Sequence, residues 1–480
     1  MSKEEMWEAS GGKHFAWRDR YLAYSSTALQ YGLVLLIFLM PSALLRPLKG
    51  ALLVGLAVAW ILHMLVAKDF SLRRTSLDAP LAAYIAWIAF TLITAAHLLY
   101  SLGEFLKLIV SVLVFYLVVN QARDRQAVRR LLSAIVITTF AVSSYGILKF
   151  FLIQQGSLAN RAVRANSLTP DFHWLSTYLI LTIPILLCLA MVQHDRWPRL
   201  FLRMTCVLSF VALFLTYTRG AWVALLAELF VYGWAERRRL YLILVGGTIL
   251  VGLVGLLLLT SRSSTMSFSP SADTLNPYTL MTRLKTAGLA VQEISKHPLM
   301  GIGYGGKAMA MVYEDAPELK EANHPHNLYV EVALGTGFPG LILLLWIFSA
   351  ALRTTWGGLT KASDGFGQAV LLGLGMVVVG VIVSNLFDHI FAGGMAHLFW
   401  VLMALAVGVD AEQERQKAVG MVAGSHGCLD DTGRGAVAAT LGIGEPRRSL
   451  VITMQWIGLD EVIPVVDRML GSLSERTEIP

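Results

Sequence analysis

About twelve apolar runs divide this sequence, and they restrict the possible folds more than any other feature. Each run holds about 20 mostly apolar residues, the length that an α-helix needs to cross a bilayer. Only 15% of the residues are charged and 56% are hydrophobic, whereas a soluble domain is about one quarter charged. We predict an all-α, polytopic membrane protein of about 12 transmembrane helices, near 27–44, 47–67, 79–99, 104–121, 131–153, 173–192, 199–217, 220–235, 239–260, 327–351, 368–387 and 390–408.

The loops between the apolar runs differ in positive charge, and this difference predicts the orientation. With the N-terminus inside, the inner loops hold about 18 Lys and Arg residues and the outer loops about 5. Loops rich in Lys and Arg stay in the cytoplasm. We therefore expect a multi-pass protein of the bacterial inner membrane, with both termini cytoplasmic. Residues 261–326 then form a large periplasmic loop between the ninth and tenth helices.

This layout divides the chain into three segments. Residues 1–26 are a cytoplasmic N-terminal segment, and residues 27–410 are the transmembrane domain. Residues 411–480 form a cytoplasmic tail that we expect to be poorly ordered, because its Gly- and Ser-rich stretch reads as a linker and the remainder is too short to bury a core. The net charge of +7 comes from short clusters between apolar runs, so it does not indicate a nucleic acid partner.

The most informative polar cluster is the sequence HPHN, with His324, His326 and Asn327, which closes the long loop where the tenth span begins. An imidazole titrates near neutral pH and can take a proton from a hydroxyl. The alternative is that the His-Asn pair only caps the helix. The run GTGFPG, with Gly337 and Gly340, should break or kink that helix, which a membrane tolerates only beside protein or a cavity. This favours a functional site.

Three arginines outside the membrane are candidates for binding an anion. Arg219, in TYTRGAW, interrupts the apolar stretch 199–235, and we place a turn there because a charge in mid-membrane is costly. Arg283 begins an amphipathic surface helix, and Arg164 lies in a short outer loop. A guanidinium grips phosphate oxygens with two parallel hydrogen bonds. The alternative for each is a charge that only reaches water.

The remaining motifs argue against metal and cofactor chemistry. Asp388, in the last outer turn, either orients an imidazole or caps a helix. The sequence has no HExxH, no acidic metal motif on the outer side and no Ser-His-Asp arrangement. GIGYGG lacks the preceding strand that a nucleotide loop needs. We therefore predict metal-independent chemistry with no cofactor.

These motifs resemble the O-antigen ligase superfamily, which also holds O-antigen polymerases and O-oligosaccharyltransferases. The signature H-[NSQ]-x9-G-x-x-[GTY] is matched by His326-Asn327, followed after nine residues by Gly337 and then by Gly340. The stretch from Arg283 to HPLMGIGYGG and the TRG turn resemble further superfamily segments. RAVRANSLTPDFHWLSTYL is similar to its earlier arginine loop, with Thr-Pro-Asp in place of Asn-Pro-Asn. The resemblance covers roughly residues 25–410.

The resemblance implies an inverting glycosyl transfer on the periplasmic side. The donor would be a glycan on undecaprenyl pyrophosphate, and the acceptor a sugar hydroxyl of lipid A-core. His326 would be catalytic, and Arg219, Arg283 and Arg164 would bind the pyrophosphate. The supporting residues would be Asn327, Gly337, Gly340, His324 and Asp388.

Other functions remain open at this point. An O-antigen polymerase or a protein O-oligosaccharyltransferase of the same superfamily fits the same motifs. A transporter would also have Gly-broken helices and isolated charges, although we find no inverted repeat. A structural scaffold would leave the HPHN and TRG sequences without a role.

Overall fold

A computed structural model describes the chain over 3–42, 44–70, 72–122, 124–156, 163–169, 171–237, 277–305, 312, 326–362, 364–389 and 393–426. Within these residues the protein is helical, without a strand. The helices, numbered in chain order, are α1 (Lys3–Leu39), α2 (Arg46–Ala67), α3 (Asp78–Thr91), α4 (Leu98–Gln121), α5 (Arg125–Leu148), α6 (Phe172–Val192), α7 (Arg196–Leu215), α8 (Arg219–Ala235), α9 (Pro277–Lys296), α10 (Leu328–Lys361), α11 (Gly365–Ser384) and α12 (Gly393–His426).

The helices confirm the prediction of an all-α, polytopic membrane protein. Nine spans in the described part of the chain are long and apolar enough to cross a bilayer. Helix α3 with its 3-10 turn (Asp78–Thr94) is a shorter apolar helix, and α8 has 17 residues. The predicted span 239–260 and most of the predicted loop 261–326 lie outside the described residues. The count of twelve spans therefore stays a prediction.

Two predicted helix interruptions agree with the structure. Helix α7 ends at Leu215 and α8 begins at Arg219, so the predicted turn divides the stretch 199–235. Helix α10 has a non-helical residue, Gly337, inside the GTGFPG run. At the far end, α12 extends through His426, so that residues 411–426 of the predicted tail are helical and the tail beyond them lies outside the described residues.

The core of the bundle lies around α6, α11 and α12. In the most apolar 18-residue stretch of each helix, buried residues make up 78% for α6, 72% for α11 and 78% for α12. The same measure is 11% for α2, which therefore lies at the periphery. Helices α6 and α11 approach closely at Gly373, where an added Cβ would lie 3.0 Å from the Cα of Ile185. Small residues permit such close packing where no hydrophobic effect drives helices together in lipid.

The two ends of the bundle differ in the residues they gather. At one end, Arg125 Nη2 forms an ion pair with Asp364 Oδ2 at 2.5 Å, and Arg18 donates to the last carbonyls of α2. At the other end, the loop 163–169 is bonded to α7 through Ala165 N and Leu215 O at 2.9 Å. We call this second end the histidine end; it comprises residues 95–98, 163–169, 171–173, 215–220, 297–303, 326–328 and 385–389.

Candidate functional site

His326 and Asn327 join the start of α10 to the turn after α11. His326 has a left-handed backbone with φ 52°, which is uncommon for a residue other than glycine. Asn327 caps α10, because its Oδ1 accepts from the amides of Tyr329 at 2.9 Å and Val330 at 3.1 Å. Its Nδ2 donates to Leu386 O at 3.1 Å. The capping role that the sequence allowed therefore belongs to Asn327, and the imidazole of His326 is not needed for it.

Asp388 lies between two imidazoles. Its Oδ2 is 2.9 Å from His173 Nδ1, and its Oδ1 is 3.8 Å from His326 Nδ1. Oδ1 also accepts from the backbone amide of His389 at 2.9 Å. Burial alone would raise the pKa of Asp388, but the adjacent imidazoles of His173 and His326 and the backbone amide of His389 outweigh it and hold the pKa well below its usual range. The carboxylate is therefore charged at neutral pH.

A second imidazole–carboxylate pair lies next to the first. His389 Nδ1 is 2.7 Å from Glu331 Oε2, and Glu331 is buried in the first turn of α10. Burial lowers the pKa of His389, but the negative charge of Glu331, helped by Asp388 and Glu104, raises it above the ordinary value of a histidine. The pair thus favours a charged imidazole at this point of the histidine end.

Two of the three predicted arginines come to the histidine end. Arg219 is exposed at the first residue of α8, and a side chain at Gly220 beside it would collide with Phe387, the neighbour of Asp388. The guanidinium carbon of Arg164 lies 4.3 Å above the ring of Phe172, which precedes His173 in the chain. The fold therefore brings Arg164 and Arg219 to the same end of the bundle as the Asp388 cluster.

Two predicted site residues cannot be placed in full. The backbone of Arg283 lies in α9, while its side chain lies outside the described residues, as does the whole of His324.

The interruption of α10 is filled by another part of the chain. Gly337 has φ 72°, and Phe338 N donates to Pro298 O at 2.8 Å. Leu334 O and Gly335 O accept from Ile302 N at 2.9 Å and Gly303 N at 3.1 Å, respectively. The segment 298–303, part of the HPLMGIG sequence, is thus bonded to the backbone that the helix break leaves open. A helix break at this depth is stable only because other groups satisfy its amides and carbonyls.

Gly337 permits this close approach for steric reasons, and Gly340 permits close packing within α10. A Cβ on Gly337 would meet the carbonyl group of Leu299, and one on Gly340 would meet the side chain of Thr336. Trp87 of α3 donates through Nε1 to Thr336 O at 2.8 Å and so satisfies a further carbonyl near the break. Both glycines that the sequence singled out therefore serve the shape of α10.

Sequence reasoning missed His173 and Glu331 as members of the site. His173 lies within the segment PDFHW, but nothing local distinguishes it from a surface residue of a helix start. Glu331 follows His326 by one helical turn and is an acid near a predicted membrane surface. An acidic residue close to membrane depth needs a partner, and this was the one available signal.

The residues of the site suit acid–base chemistry and anion binding. An imidazole beside a carboxylate can accept a proton, and guanidinium groups can hold negative oxygens. Within the described residues, no group of three or more His, Cys, Asp or Glu side chains could hold a metal ion. Metal independence itself stays a prediction.

Comparison with known proteins points to one family. Residues 204–345 match the O-antigen ligase family, and this range includes Arg219, Arg283 and His326. The protein named O-antigen ligase of Salmonella typhimurium (strain LT2) is 28% identical over 195 residues, which are 38% of this chain and 46% of that protein. The chain thus matches about half the length of this curated relative. These matches confirm the resemblance to the O-antigen ligase superfamily that the motifs indicated.

Proposed function

Because residues 204–345 match the O-antigen ligase family, we propose that this chain is an inverting glycosyltransferase with the activity of an O-antigen ligase. The donor is a glycan linked to undecaprenyl pyrophosphate, and the acceptor is a sugar hydroxyl of lipid A-core. The single observation that carries the proposal is the arrangement of His326 and Asp388, with Nδ1 and Oδ1 3.8 Å apart, at the end of the bundle that also holds Arg164 and Arg219.

In this mechanism His326 is the base. The acceptor hydroxyl gives its proton to His326 Nε2 as its oxygen bonds to the anomeric carbon of the glycan. The carbon–oxygen bond to the pyrophosphate breaks at the same time, and undecaprenyl pyrophosphate leaves with the bonding electrons. Asp388 stabilises the imidazolium that forms and favours the tautomer with its proton on Nδ1.

The arginines bind the leaving group. Negative charge on the pyrophosphate grows as its bond to the sugar breaks, so a fixed positive charge stabilises the transition state more than the ground state. Arg219, exposed at the first residue of α8, is the first candidate, and Arg164 and Arg283 are the others. The pyrophosphate is already a good leaving group, so the reaction needs no cofactor and no metal.

The membrane setting agrees with such a donor. The protein is multi-pass, and a lipid-linked glycan presents its pyrophosphate at the membrane surface, where the histidine end lies. The distribution of Lys and Arg among the loops supports a cytoplasmic position for the opposite end, so the reaction would occur on the periplasmic side of the inner membrane.

A deletion strain tests the proposal. We expect loss of the gene to remove the whole O-antigen ladder from lipopolysaccharide gels, with intact core and polymer accumulating on the lipid carrier. Plasmid-borne wild type should restore the ladder, and so should the control variant His194→Ala, whose exposed side chain lies at the other end of the bundle. His326→Ala should fail to restore it.

Two outcomes would contradict the proposal. Core carrying a single repeat unit would indicate a polymerase, because ligation would then be intact and chain growth lost. Unchanged lipopolysaccharide in the deletion strain would show that this chain attaches no O-antigen to lipid A-core.

A further inference from the structure

One imidazole beside Asp388 has no part in the proposed transfer. His173 lies in the first turn of α6, and its Nδ1 is 2.9 Å from Asp388 Oδ2. The contact from His326 Nδ1 to Oδ1 is longer, at 3.8 Å. The carboxylate therefore lies closer to His173 than to His326, which faces the other oxygen.

The surroundings of His173 fix it in place. Asp171 caps α6, since its Oδ1 accepts from Trp174 N at 2.9 Å, and this cap sets the first turn of the helix. The ring centroids of Phe172 and His173 are 4.2 Å apart. On the same Phe172 ring lies the guanidinium of Arg164, with its carbon 4.3 Å from the centroid. A chain of contacts thus runs from an arginine of the proposed anion site to Asp388.

The orientation of Asp388 depends on which donors hold its two oxygens. The torsion of a carboxylate about its last bond is broad, so an unbonded aspartate samples many orientations. Here His173 Nδ1 lies 2.9 Å from Oδ2, and the amide of His389 donates to Oδ1 at 2.9 Å. With both oxygens held, Oδ1 stays directed towards His326.

We propose that His173 is a positioning residue for the base: through the close contact of its Nδ1 with Asp388 Oδ2, it holds Oδ1 towards His326. The inference rests on the proposed function, because it gives His326 the role of base. His173 touches no reacting atom in this scheme. Its effect reaches the reaction through Asp388, and so it belongs to the turnover step and not to the binding of donor or acceptor.

Kinetics of purified full-length protein with lipid-linked donor and lipid A-core test this role. His173→Ala should lower kcat by about tenfold, the smaller effect typical of a residue that orients another. The KM values for donor and acceptor should change by less than about twofold, because the binding groups remain. His173→Asn should recover most of kcat, because its side-chain amide offers an N–H near the position of Nδ1. As a control, His97→Ala removes an exposed imidazole at the same end and should leave kcat unchanged.

A double substitution separates positioning from general stability. If His173 acts through Asp388, adding His173→Ala to Asp388→Asn should produce no further loss of kcat, because the two residues form one unit. Independent effects would instead multiply. This comparison needs only variants that insert in the membrane at the level of the wild type.

Three results would overturn the role of His173: an unchanged kcat in His173→Ala, an Asn variant as slow as the Ala variant, or multiplied effects in the double variant. These results can be told apart from failure of the proposed function. Wild-type protein that moves no glycan from the lipid carrier would overturn the function and this role together. Wild-type transfer combined with any of the three results would overturn the role alone.

Discussion

At the scale of single residues, the candidate site is held together by carboxylates that face imidazoles. Asp388 contacts His173 and His326, and Glu331 contacts His389. A carboxylate in surroundings of low dielectric keeps its charge only when a partner compensates for the lost water. These contacts therefore link the starts of α6 and α10 to the turn after α11 at one point.

Arg219 should matter for both donor binding and turnover. We expect Arg219→Ala to raise the donor KM about tenfold and to lower kcat, because a hydrogen-bonded charge on the pyrophosphate is lost in the ground state and in the transition state. Arg219→Lys should recover only part of the loss, because a point charge lacks the bidentate geometry of guanidinium. The measurements are donor KM and kcat at matched expression.

Arg196 offers a matched control for this test. It is also an exposed arginine at the first residue of a helix, but at the opposite end of the bundle. Arg196→Ala should leave the donor KM unchanged. A wild-type KM in Arg219→Ala would move the anion site to Arg164 and Arg283.

The pair of His389 and Glu331 should make stability depend on pH. The pKa of His389 is raised in the folded protein, so the pair stabilises the fold fully below about pH 6.5, the ordinary histidine value, and loses this contribution as the pH rises through the folded-state pKa. Glu331→Gln should therefore cost about 2 kcal/mol at acidic pH. The difference in Tm from the wild type should narrow at alkaline pH, as measured by thermal unfolding in detergent.

The surface pair of Glu293 and Lys296 is the control for this measurement. Their Oε2 and Nζ are 2.7 Å apart, and Lys296 is largely exposed. Such a pair contributes about 0.5 kcal/mol or less, so Lys296→Gln should leave Tm nearly unchanged at every pH. A constant difference in Tm between Glu331→Gln and the wild type across pH would show that the charge of His389 is not what Glu331 stabilises.

At the scale of elements, the interruption of α10 decides the shape of the site. In the segment 298–303, Pro298 O accepts a hydrogen bond from Phe338 N. Ile302 N and Gly303 N donate to carbonyl groups of α10. The break lies about two to three helical turns after His326, at Gly337. The start of α10, which carries Asn327 and Glu331, is thereby fixed on the rest of the bundle independently of the long second half of the helix.

Gly337→Ala should destabilise this arrangement. Alanine at φ 72° costs about 1–2 kcal/mol, and its Cβ would also collide with the carbonyl group of Leu299. We expect a lower Tm and a loss of transfer activity. In the same helix, Gly357 has no atom within 4 Å of an added Cβ, so Gly357→Ala should keep activity and leave Tm equal or higher. Equal Tm values for Gly337→Ala and the wild type would contradict the steric argument.

At the scale of the whole molecule, charge separates the two ends of the bundle. One end carries arginines such as Arg18 and Arg125, whereas the other carries His173, His326 and His389 with the acidic residues that face them. Successive spanning helices run in opposite directions between these two ends. The positive charge of the first end predicts that this end faces the cytoplasm and that the histidine end faces the opposite side.

Reporter fusions test this orientation directly. An enzyme that is active only in the periplasm should be active when fused after Pro270, and one that is active only in the cytoplasm should be active when fused after Arg239. The reason is that the Lys- and Arg-rich loops remain in the cytoplasm. Activity in the reverse compartment at either fusion point would invert the assignment of the site to the periplasmic side.

The sequence by itself determined the elements and the chemical types of the candidate site. Apolar runs of bilayer length predict helices, because a single segment in lipid can hydrogen-bond all of its backbone amides and carbonyls internally only as a helix. The turn before Arg219 and the interruption at Gly337 follow from local rules, since a charge and a left-handed glycine are each incompatible with a continuous apolar helix. His326, Asn327 and Asp388 were identified for the same reason, as polar groups at the ends of apolar runs.

Only the tertiary structure decided which of these groups meet. His173 and Asp388 are more than two hundred positions apart in the sequence, and Glu331 and His389 nearly sixty. No pattern along the chain specifies such pairs, because they depend on which helices pack side by side and at what height in the membrane. The packing of α6 against α11, permitted by Gly373, brings the start of α6 to the turn after α11. That contact brings His173 to Asp388, while His326 reaches it from the start of α10. The local sequence specifies neither contact.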